Sequence, residues 1–582
     1  MPQRLARRAI TFIAVALPML LAFNEPPSPT LLNQGICLGL IGVWVVTIAA
    51  HGQPRPRDIW SLLLAMGTAL ACLAGSLARG LPPTLASGLA AVVLAAAVAT
   101  CAGNAAARGV NAHDAFVDLA WALCGAGMVS SLIGCVQVFA PDWPDGELIA
   151  RSALSGRAVG NLRQPNHLAS LTLWALVAVA ALSESKASRW VLLAGGLCLF
   201  GVVLSGSRTG TLGVILLALW GLLDRRLSRE TRSVLVATPL AYGVLWLVVA
   251  LWAHSTANAF TGEDHLLAKG GGDISSSRFG IWSNALAMIR HEPLTGVGFG
   301  EFNLAWTLSE FPNRPTAFFD HTHNLPLQVL VEFGIPLGLL AIGALLMALM
   351  RAGHLAWATV GDTGTAKRAM FMLVLMIGMH SLLEYPLWYA YFLLPTAFAW
   401  GFALARPDRG DGAVVALRDG QGSRGMHPAL AMAGLAMSIG AAAAMLDYRS
   451  VVVIYDPPDH AAPLEDRIAR GQRSPLFGQH ADYAAATAFG EPKAPLSPSQ
   501  ELAFKRAPHQ LLDIRLMIAW SQALAAQGEL DKARWLAARI REFRNPGSDE
   551  YFAPCNDAAL GPQAFQCQPP TRVVNWREFV QR

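Results

Sequence analysis

Apolar positions in this chain do not alternate with polar ones as a soluble fold requires; they collect in runs long enough to cross a bilayer. Such runs occupy 9–23, 31–50, 59–77, 83–103, 115–139, 168–183, 190–205, 209–223, 234–253, 326–350, 369–383, 387–404 and 429–446. At about 20 apolar residues per crossing, the pattern predicts about thirteen transmembrane helices. Polar stretches at 140–167 and 254–325 interrupt the series, and a polar tail follows it. The expected architecture is all-α and polytopic, with a membrane domain over 1–446 carrying the large loop 254–325, and a small helical domain over 447–582. Within the tail, 511–543 reads as two amphipathic helices broken at 527–529, either one copy of a helical-hairpin repeat or an ordinary hairpin. Residues 447–500, rich in Pro and Ala, read as a loose lead-in with short helices.

Charge orients these elements. The first run follows Arg4, Arg7 and Arg8, and no small-residue cleavage site precedes Asn24 and Glu25, so it reads as a retained helix. With a cytoplasmic N-terminus, Arg55, Arg57, Arg108, Lys186, Arg189, Arg225, Arg226, Arg229, Arg232, Arg351, Lys367, Arg368, Arg406, Arg409, Arg418 and Arg424 all fall inside. An odd number of crossings then puts the two long loops and the tail outside, in the periplasm if the host is bacterial. Gly270, Gly271 and Gly272 predict flexibility in the larger loop.

Composition agrees with this picture. Of 582 residues, 54% are hydrophobic and only 14% charged, which excludes a soluble globular enzyme. The net charge of +5 is spread between apolar runs and forms no basic stripe for nucleic acid. Six cysteines lie in apolar stretches, while Cys555 and Cys567 share the polar tail. An outer compartment permits a disulfide between those two, the alternative being two free thiols.

Ionisable groups cost about 2.5–3.5 kcal/mol at the centre of a span, so their placement is informative. The unusual polar residues fall at the outer ends of five segments: Arg163, Gln164 and His167; Arg208; Arg278; His321 and His323; and Glu384 with Tyr385. Five segments can converge on one outward-facing pocket. A planar guanidinium at Arg208 suits phosphate oxygens, the alternative being an arginine that snorkels to headgroup level. Asn166 and Asn324, beside Pro165 and Pro326, read as N-caps whose helices point positive ends outward. His321 and His323 admit three readings: a metal pair, a general base beside an anion site, or structural histidines. No third and fourth ligand stands at a metal-site spacing, which favours the base.

These stretches resemble the O-antigen ligase and polymerase superfamily of bacterial inner-membrane glycosyltransferases. The matching motifs are Ser-Gly-Ser-Arg at 205–208, Ser-Arg-x-x-x-Trp at 277–282, and His323 followed by Asn324. The fragment GNLRQPNHLA, 160–169, is similar to the signature of bacterial protein O-oligosaccharyltransferases, the pilin glycosylation ligases, and the tail is similar to the C-terminal domain of that subfamily. The resemblance implies a GT-C-like fold and transfer of a preassembled glycan from undecaprenyl diphosphate to Ser or Thr hydroxyls of a periplasmic or pilin-like protein. It implies His323 as the catalytic histidine, Arg208 and Arg278 as ligands of the donor pyrophosphate, and Gln164 and Tyr385 lining the site. Arg163, His167 and His321 join them as further lining residues. It implies neither cofactor nor metal; the partners are the lipid-linked glycan, the acceptor protein and membrane lipids.

Two readings share this donor chemistry, an O-antigen ligase acting on lipid A core and a polysaccharide polymerase; the 160–169 fragment and the large tail favour a protein acceptor. A transporter would place coupling residues at mid-membrane and show paired repeats, and neither is visible. A scaffold would depend on the tail and not on His323.

Overall fold

The computed structural model describes residues 2–580 apart from 110, 155, 185–188, 257–259, 261–273, 313, 317, 407–425, 558, 560 and 562. Lys186, Arg409, Arg418, Arg424 and glycines 270, 271 and 272 lie outside the described residues, as does the Ser277 side chain. Among the described residues, every regular element is a helix. The first nine are α1 (Pro2–Leu20), α2 (Leu31–Ala49), α3 (Pro56–Ala78), α4 (Pro83–Arg108), α5 (Ala112–Phe139), α6 (Pro165–Ser183), α7 (Arg189–Ser205), α8 (Arg208–Leu223) and α9 (Arg229–Thr256). After them come α10 (Ile274–His291), α11 (Phe302–Leu308), α12 (Leu325–Ala358), α13 (Gly361–Ser381), α14 (Ala390–Ala403) and α15 (Pro428–Tyr455). The tail holds α16 (Leu464–Gly471), α17 (Gly478–Thr487), α18 (Pro498–Arg506), α19 (Ile514–Ala526) and α20 (Leu530–Phe543). Each apolar run of the sequence lies on a helix, and eight of these helices (α2–α6, α9, α12 and α15) are long and apolar enough to cross a membrane.

The chain divides into two compact units, one comprising 1–63, 94–269 and 344–443, the other 64–93, 270–343 and 444–582. In the first, α6 is apolar all round and buried along almost its whole length, because α5, α7, α8 and α13 pack around it. Small residues allow close crossings. A Cβ at Gly103 would meet the Phe398 carbonyl oxygen at 1.9 Å, and one at Gly401 the Thr100 carbonyl oxygen at 2.0 Å, so α4 and α14 touch backbone to backbone.

Several basic residues on which the expected orientation rests neutralise aspartates buried in this unit. Arg7 Nε and Arg8 Nε reach Asp118 at 2.7 and 3.0 Å, Arg368 Nε reaches Asp224 at 2.6 Å, and Arg108 lies 3.8 Å from Asp58. A carboxylate removed from water costs several kcal/mol unless paired, so these arginines hold the fold.

In the second unit, α10, α11 and the tail helices share one core. Trp306 is fully buried, stacked on Phe302 and met edge-on by Phe319 and Phe543, while Trp535 Nε1 donates to the Leu308 carbonyl at 2.8 Å. The described residues of 274–343 and 444–580 therefore pack as one body. The short helices expected here are present, but the stretch is packed rather than loose: α15 runs on to Tyr455, and α16–α18 bury Ile468, Ala481, Ala485 and Ala503 in the common core. Alanine made this stretch look featureless, yet its small side chain lets the helices approach. The hairpin of α19 and α20 turns at Gly528, at φ 84°. Cys555 and Cys567 are disulfide-bonded, with Cα atoms 5.3 Å apart.

The run read as one span at 326–350 is broken at Gly334, at φ 75°. Pro336 has no N–H to give the Glu332 carbonyl, which instead accepts from Gly298 at 3.0 Å. Ile335 donates to the Pro293 carbonyl at 2.7 Å, and the Val331 carbonyl left behind accepts from Val297 at 2.9 Å. The segment 293–298 thus satisfies the backbone groups that the break releases.

Candidate functional site

In the first unit, the loop ahead of α6 is held by two buried amides. Gln137 Oε1 accepts from the Val159 and Gly160 N–H groups, each at 2.9 Å, and its Nε2 donates to the Ala150 carbonyl at 2.6 Å. Asn161 accepts from Ala150 N and donates to the Leu20 and Leu148 carbonyls. Arg163 follows in a left-handed backbone conformation, φ 58°, exposed, with Nη2 donating to the Ala22 carbonyl at 2.5 Å. Gln164, in extended backbone, stands at the N-cap of α6; its Oε1 is buried with no hydrogen-bond partner among the described residues.

The expected N-cap, Asn166, is instead inside the first turn of α6, because Pro165 already has helical geometry and takes the opening position. Its side chain does something else. Asn166 Nδ2 donates to Glu384 Oε1 at 3.2 Å, and its Oδ1 accepts from the Ser207 hydroxyl at 2.6 Å. Ser207 is the N-cap of α8, accepting from Gly210 N at 3.0 Å, and Arg208 is the exposed first residue of that helix. One asparagine therefore ties together the starts of α6 and α8 and the turn before α14.

Arg157, passed over in the sequence, belongs to the same cluster. Its Nε donates to the Ser205 carbonyl at 2.7 Å. Burial works against its charge first and the Arg208 guanidinium second, with Glu384 offsetting part of both, so its pKa falls below the usual arginine value. It lies in the loop between α5 and α6 that also holds Arg163, and its position beside the 160–169 fragment was the available signal. Tyr385 is half-buried and stacks on Tyr389 at 6.2 Å. His167 is buried, with Tyr389 at 4.4 Å and Phe392 at 5.1 Å ring to ring and the Tyr391 hydroxyl 3.4 Å from Nδ1. It faces the bundle interior, because one position after Asn166 the helix has turned inward.

In the second unit, Trp282 of α10 donates from Nε1 to the Thr322 carbonyl at 2.8 Å. Thr322 N donates to Gln328 Oε1 at 2.8 Å, and the Thr322 hydroxyl to the Asn324 carbonyl at 2.9 Å. Asn324 caps α12 as expected, its Oδ1 accepting from Leu327 N at 3.0 Å. Between these anchored residues His323 is held at φ 54°, its ring edge-on to Phe319 at 5.3 Å. Histidine adopts this region more often than most side chains, and here the Trp282, Gln328 and Asn324 contacts on either side fix it there. His321 Nδ1 lies 2.9 Å from Asp320 Oδ1. Burial raises the Asp320 carboxyl, but the His321 imidazole and, behind it, that of His323 outweigh burial and hold it below the usual carboxylate range. Arg278 is half-buried on α10, one helical turn before Trp282. Asp320, Trp282 and Gln328 supply the support that motif reading left without a role.

The expected site residues thus form two groups. Arg163, Gln164, His167, Arg208 and Tyr385 belong to the first unit, and Arg278, His321 and His323 to the second. The first can hold an anion between arginines and two helix starts; the second presents a fixed imidazole beside a carboxylate.

Three family models match the chain: protein glycosylation ligase over 158–182, O-antigen ligase over 193–342, and the C-terminal part of a virulence factor membrane-bound polymerase over 368–548. A ComP-specific O-oligosaccharyltransferase of Acinetobacter baylyi is 28% identical over 300 residues, 50% of this chain and 52% of that protein. A general O-oligosaccharyltransferase of the same organism is 27% identical over 311 residues, again 50% of this chain and 52% of the relative. The chain spans about half the length of the curated relatives it matches. The first model covers the Asn161–Asn166 loop and α6, and the second covers Arg208, Arg278 and the His323 turn. Over these stretches the chain is similar to O-antigen ligases and to O-oligosaccharyltransferases.

Proposed function

We propose that this protein transfers a preassembled glycan from undecaprenyl diphosphate to Ser or Thr hydroxyls of periplasmic or pilin-like proteins, without a metal. The observation that carries this reading is the His323 turn, in which Trp282, Gln328 and the Asn324 cap hold one imidazole in a left-handed conformation. The acceptor oxygen attacks the anomeric carbon and yields its proton to His323. The bond from that carbon to the diphosphate oxygen breaks, and undecaprenyl diphosphate leaves with the electron pair. The diphosphate is already a good leaving group, so positioning and charge stabilisation by Arg208 and Arg278 supply what a cation otherwise would. Gln164, with an unsatisfied buried acceptor, and Tyr385 line the donor side.

In this reading the chain crosses the bacterial inner membrane about thirteen times, with the N-terminus cytoplasmic, 1–446 carrying the chemistry and 447–582 periplasmic. The basic residues between apolar runs support the orientation, and the Cys555–Cys567 disulfide supports an oxidising compartment for the tail. The named relatives support a protein acceptor over lipid A core.

The test is transfer by purified protein from undecaprenyl-diphosphate glycan, offered a pilin-like protein and lipid A core in parallel, in EDTA, with wild type and His323→Ala. The expected result is glycosylated pilin from the wild type alone. Transfer only to lipid A core makes the protein an O-antigen ligase, and pilin transfer that survives His323→Ala removes His323 from the chemistry.

A further inference from the structure

The second unit carries a cluster of arginines, from the 254–325 loop and the tail, that the transfer chemistry does not use. A cavity of about 760 Å³ opens beside α20; among the described residues its charged lining is Arg314, Arg539, Arg541 and Arg544 with the carboxylate of Glu542. Glu542 Oε2 accepts from Arg314 Nε at 2.9 Å, its Oε1 pairs with Arg539 Nη2 at 2.8 Å, and Glu310 lies 3.8 Å from Arg539. Four guanidiniums against these two carboxylates leave an excess of two positive charges.

The two inner arginines are nearly inaccessible, with side chains 1% and 5% exposed. Arg314 lies over the rings of Trp306 and Phe543, each at 4.7 Å, and Arg539 over Trp535 at 4.4 Å. Yet Nη1 of each is buried with no hydrogen-bond partner among the described residues. The rest of each inner fork is engaged: Arg314 Nη2 donates to the Thr307 and Ser309 carbonyls and Arg539 Nη1 faces Glu310 at 3.8 Å, so these two arginines supply positive charge at the base of the cavity while forked contacts to a carboxylate fall to the outer pair. The outer arginines are exposed. Arg541 Nη2 donates to the Gln566 carbonyl at 3.3 Å, and Arg544 ends α20 at φ 49°. The far wall, Gln566 to Pro570, is fastened by the Cys567 disulfide, so its shape is set before a ligand arrives.

We propose that this cavity binds an acidic peptide segment of a protein partner, which on the reading above is the acceptor. Clustered arginines recognise acidic motifs through forked carboxylate contacts. A cavity in the range of about 300–1,000 Å³ that holds small ligands accommodates a few residues of extended chain. Among the described lining residues there is no tyrosine or tryptophan face on which a sugar ring would stack, whereas Phe311, Pro312, Pro569 and Pro570 offer peptide-like apolar contacts.

The experiment uses full-length protein in detergent and a fluorescein-labelled Asp-Ser-Asp-Ser-Asp-Ser peptide, read by anisotropy. An Asn-Ser counterpart and an oligogalacturonate are run beside it. The acidic peptide binds, the Asn-Ser peptide binds at least about tenfold more weakly, and Arg541→Gln with Arg544→Gln lowers acidic-peptide affinity about tenfold. The corresponding double Lys variant retains part of it. Equal binding of the two peptides overturns the proposal, as does an unchanged affinity in the Gln variant or binding of oligogalacturonate alone. Both substituted residues are exposed, and matching thermal midpoints verify the fold. Glycan transfer measured on the same preparations separates the two claims. Transfer without acidic-peptide binding overturns the pocket alone, and peptide binding without transfer overturns the catalytic reading while supporting the pocket.

Discussion

Asn166 Nδ2 donates to Glu384 Oε1 at 3.2 Å across 218 residues of chain, while its Oδ1 accepts from Ser207 at 2.6 Å. The contact fixes the start of α6 against the start of α8, on which Arg208 stands. Asn166→Ala leaves the buried Glu384 carboxylate without this donor, which costs about 1–3 kcal/mol. Asn166→Asp does more harm, since it sets a second carboxylate against the first. Thermal unfolding in detergent ranks wild type, Ala, Asp in falling stability, and transfer falls in the same order. An Asp variant as stable as wild type sinks the assignment.

Asp224 and Arg368 test whether the paired arginines hold the fold. Both are buried, Nε to Oδ2 is 2.6 Å, and Trp220 Nε1 donates to the same carboxylate at 3.2 Å. Arg368→Leu strands the carboxylate and is expected to cost about 3–5 kcal/mol. Combining it with Asp224→Asn removes the stranded charge and recovers much of the loss. The readout is the midpoint of unfolding for both single variants and the pair; additive losses would contradict a direct ion pair.

What the sequence made legible was local. The 160–169 fragment, the Ser207–Arg208 hairpin and His323 with Asn324 are contiguous, so each can be recognised as a motif from the order of residues. The long apolar helices were legible because bilayer length imposes an apolar run on each of them. Asn166 was misread as a cap because its partners lie 41 and 218 residues away. The break at Gly334 hid inside an apolar run, although Gly334 and Pro336 are the residues that make it. Asp58, Asp118 and Asp224 were invisible to a count of positive charge by loop, which records sign and not partner. Trp282 and Gln328 gave no sign of their role, because a residue that holds another is recognised only once both are placed.

The tail predicts two opposing responses to acid. Burial raises the Asp482 carboxyl to about 6 despite Arg506 at 2.9 Å, and burial lowers His480 to about 4. Asp482, raised above its unfolded value near ~3.9, contributes stability below that value that is lost as pH rises through about 6. His480, depressed below ~6.5, contributes stability above that value that is lost as pH falls toward about 4. Between pH 4 and 6 the two slopes oppose each other, each at most about 1.4 kcal/mol per pH unit. Wild type is therefore expected to show a shallow profile there. Asp482→Asn leaves only the histidine, so stability falls as pH drops; His480→Gln leaves only the carboxyl, so stability rises. Midpoints of unfolding at pH 7, 6 and 5 check the signs, and parallel profiles in the two variants would refute the pairing.

His323 combines an unusual backbone with the proposed base, and the two contributions separate by substitution. At φ 54° the left-handed conformation costs an ordinary side chain about 1 kcal/mol or more, but asparagine tolerates it and glycine adopts it freely. His323→Asn and His323→Gly should therefore keep the turn that Trp282 and Gln328 hold, with midpoints close to wild type. Neither side chain accepts a proton from a hydroxyl, so both are expected to lose about 10²–10⁴-fold in transfer rate at unchanged donor affinity. A turn that merely needs left-handed geometry predicts the opposite: glycine would restore activity that alanine loses. Single-turnover transfer by the three variants, beside binding of the lipid diphosphate alone, distinguishes a base from a hinge. Activity in His323→Gly would leave Asp320 and His321, 2.9 Å apart, as the next pair to test for the proton.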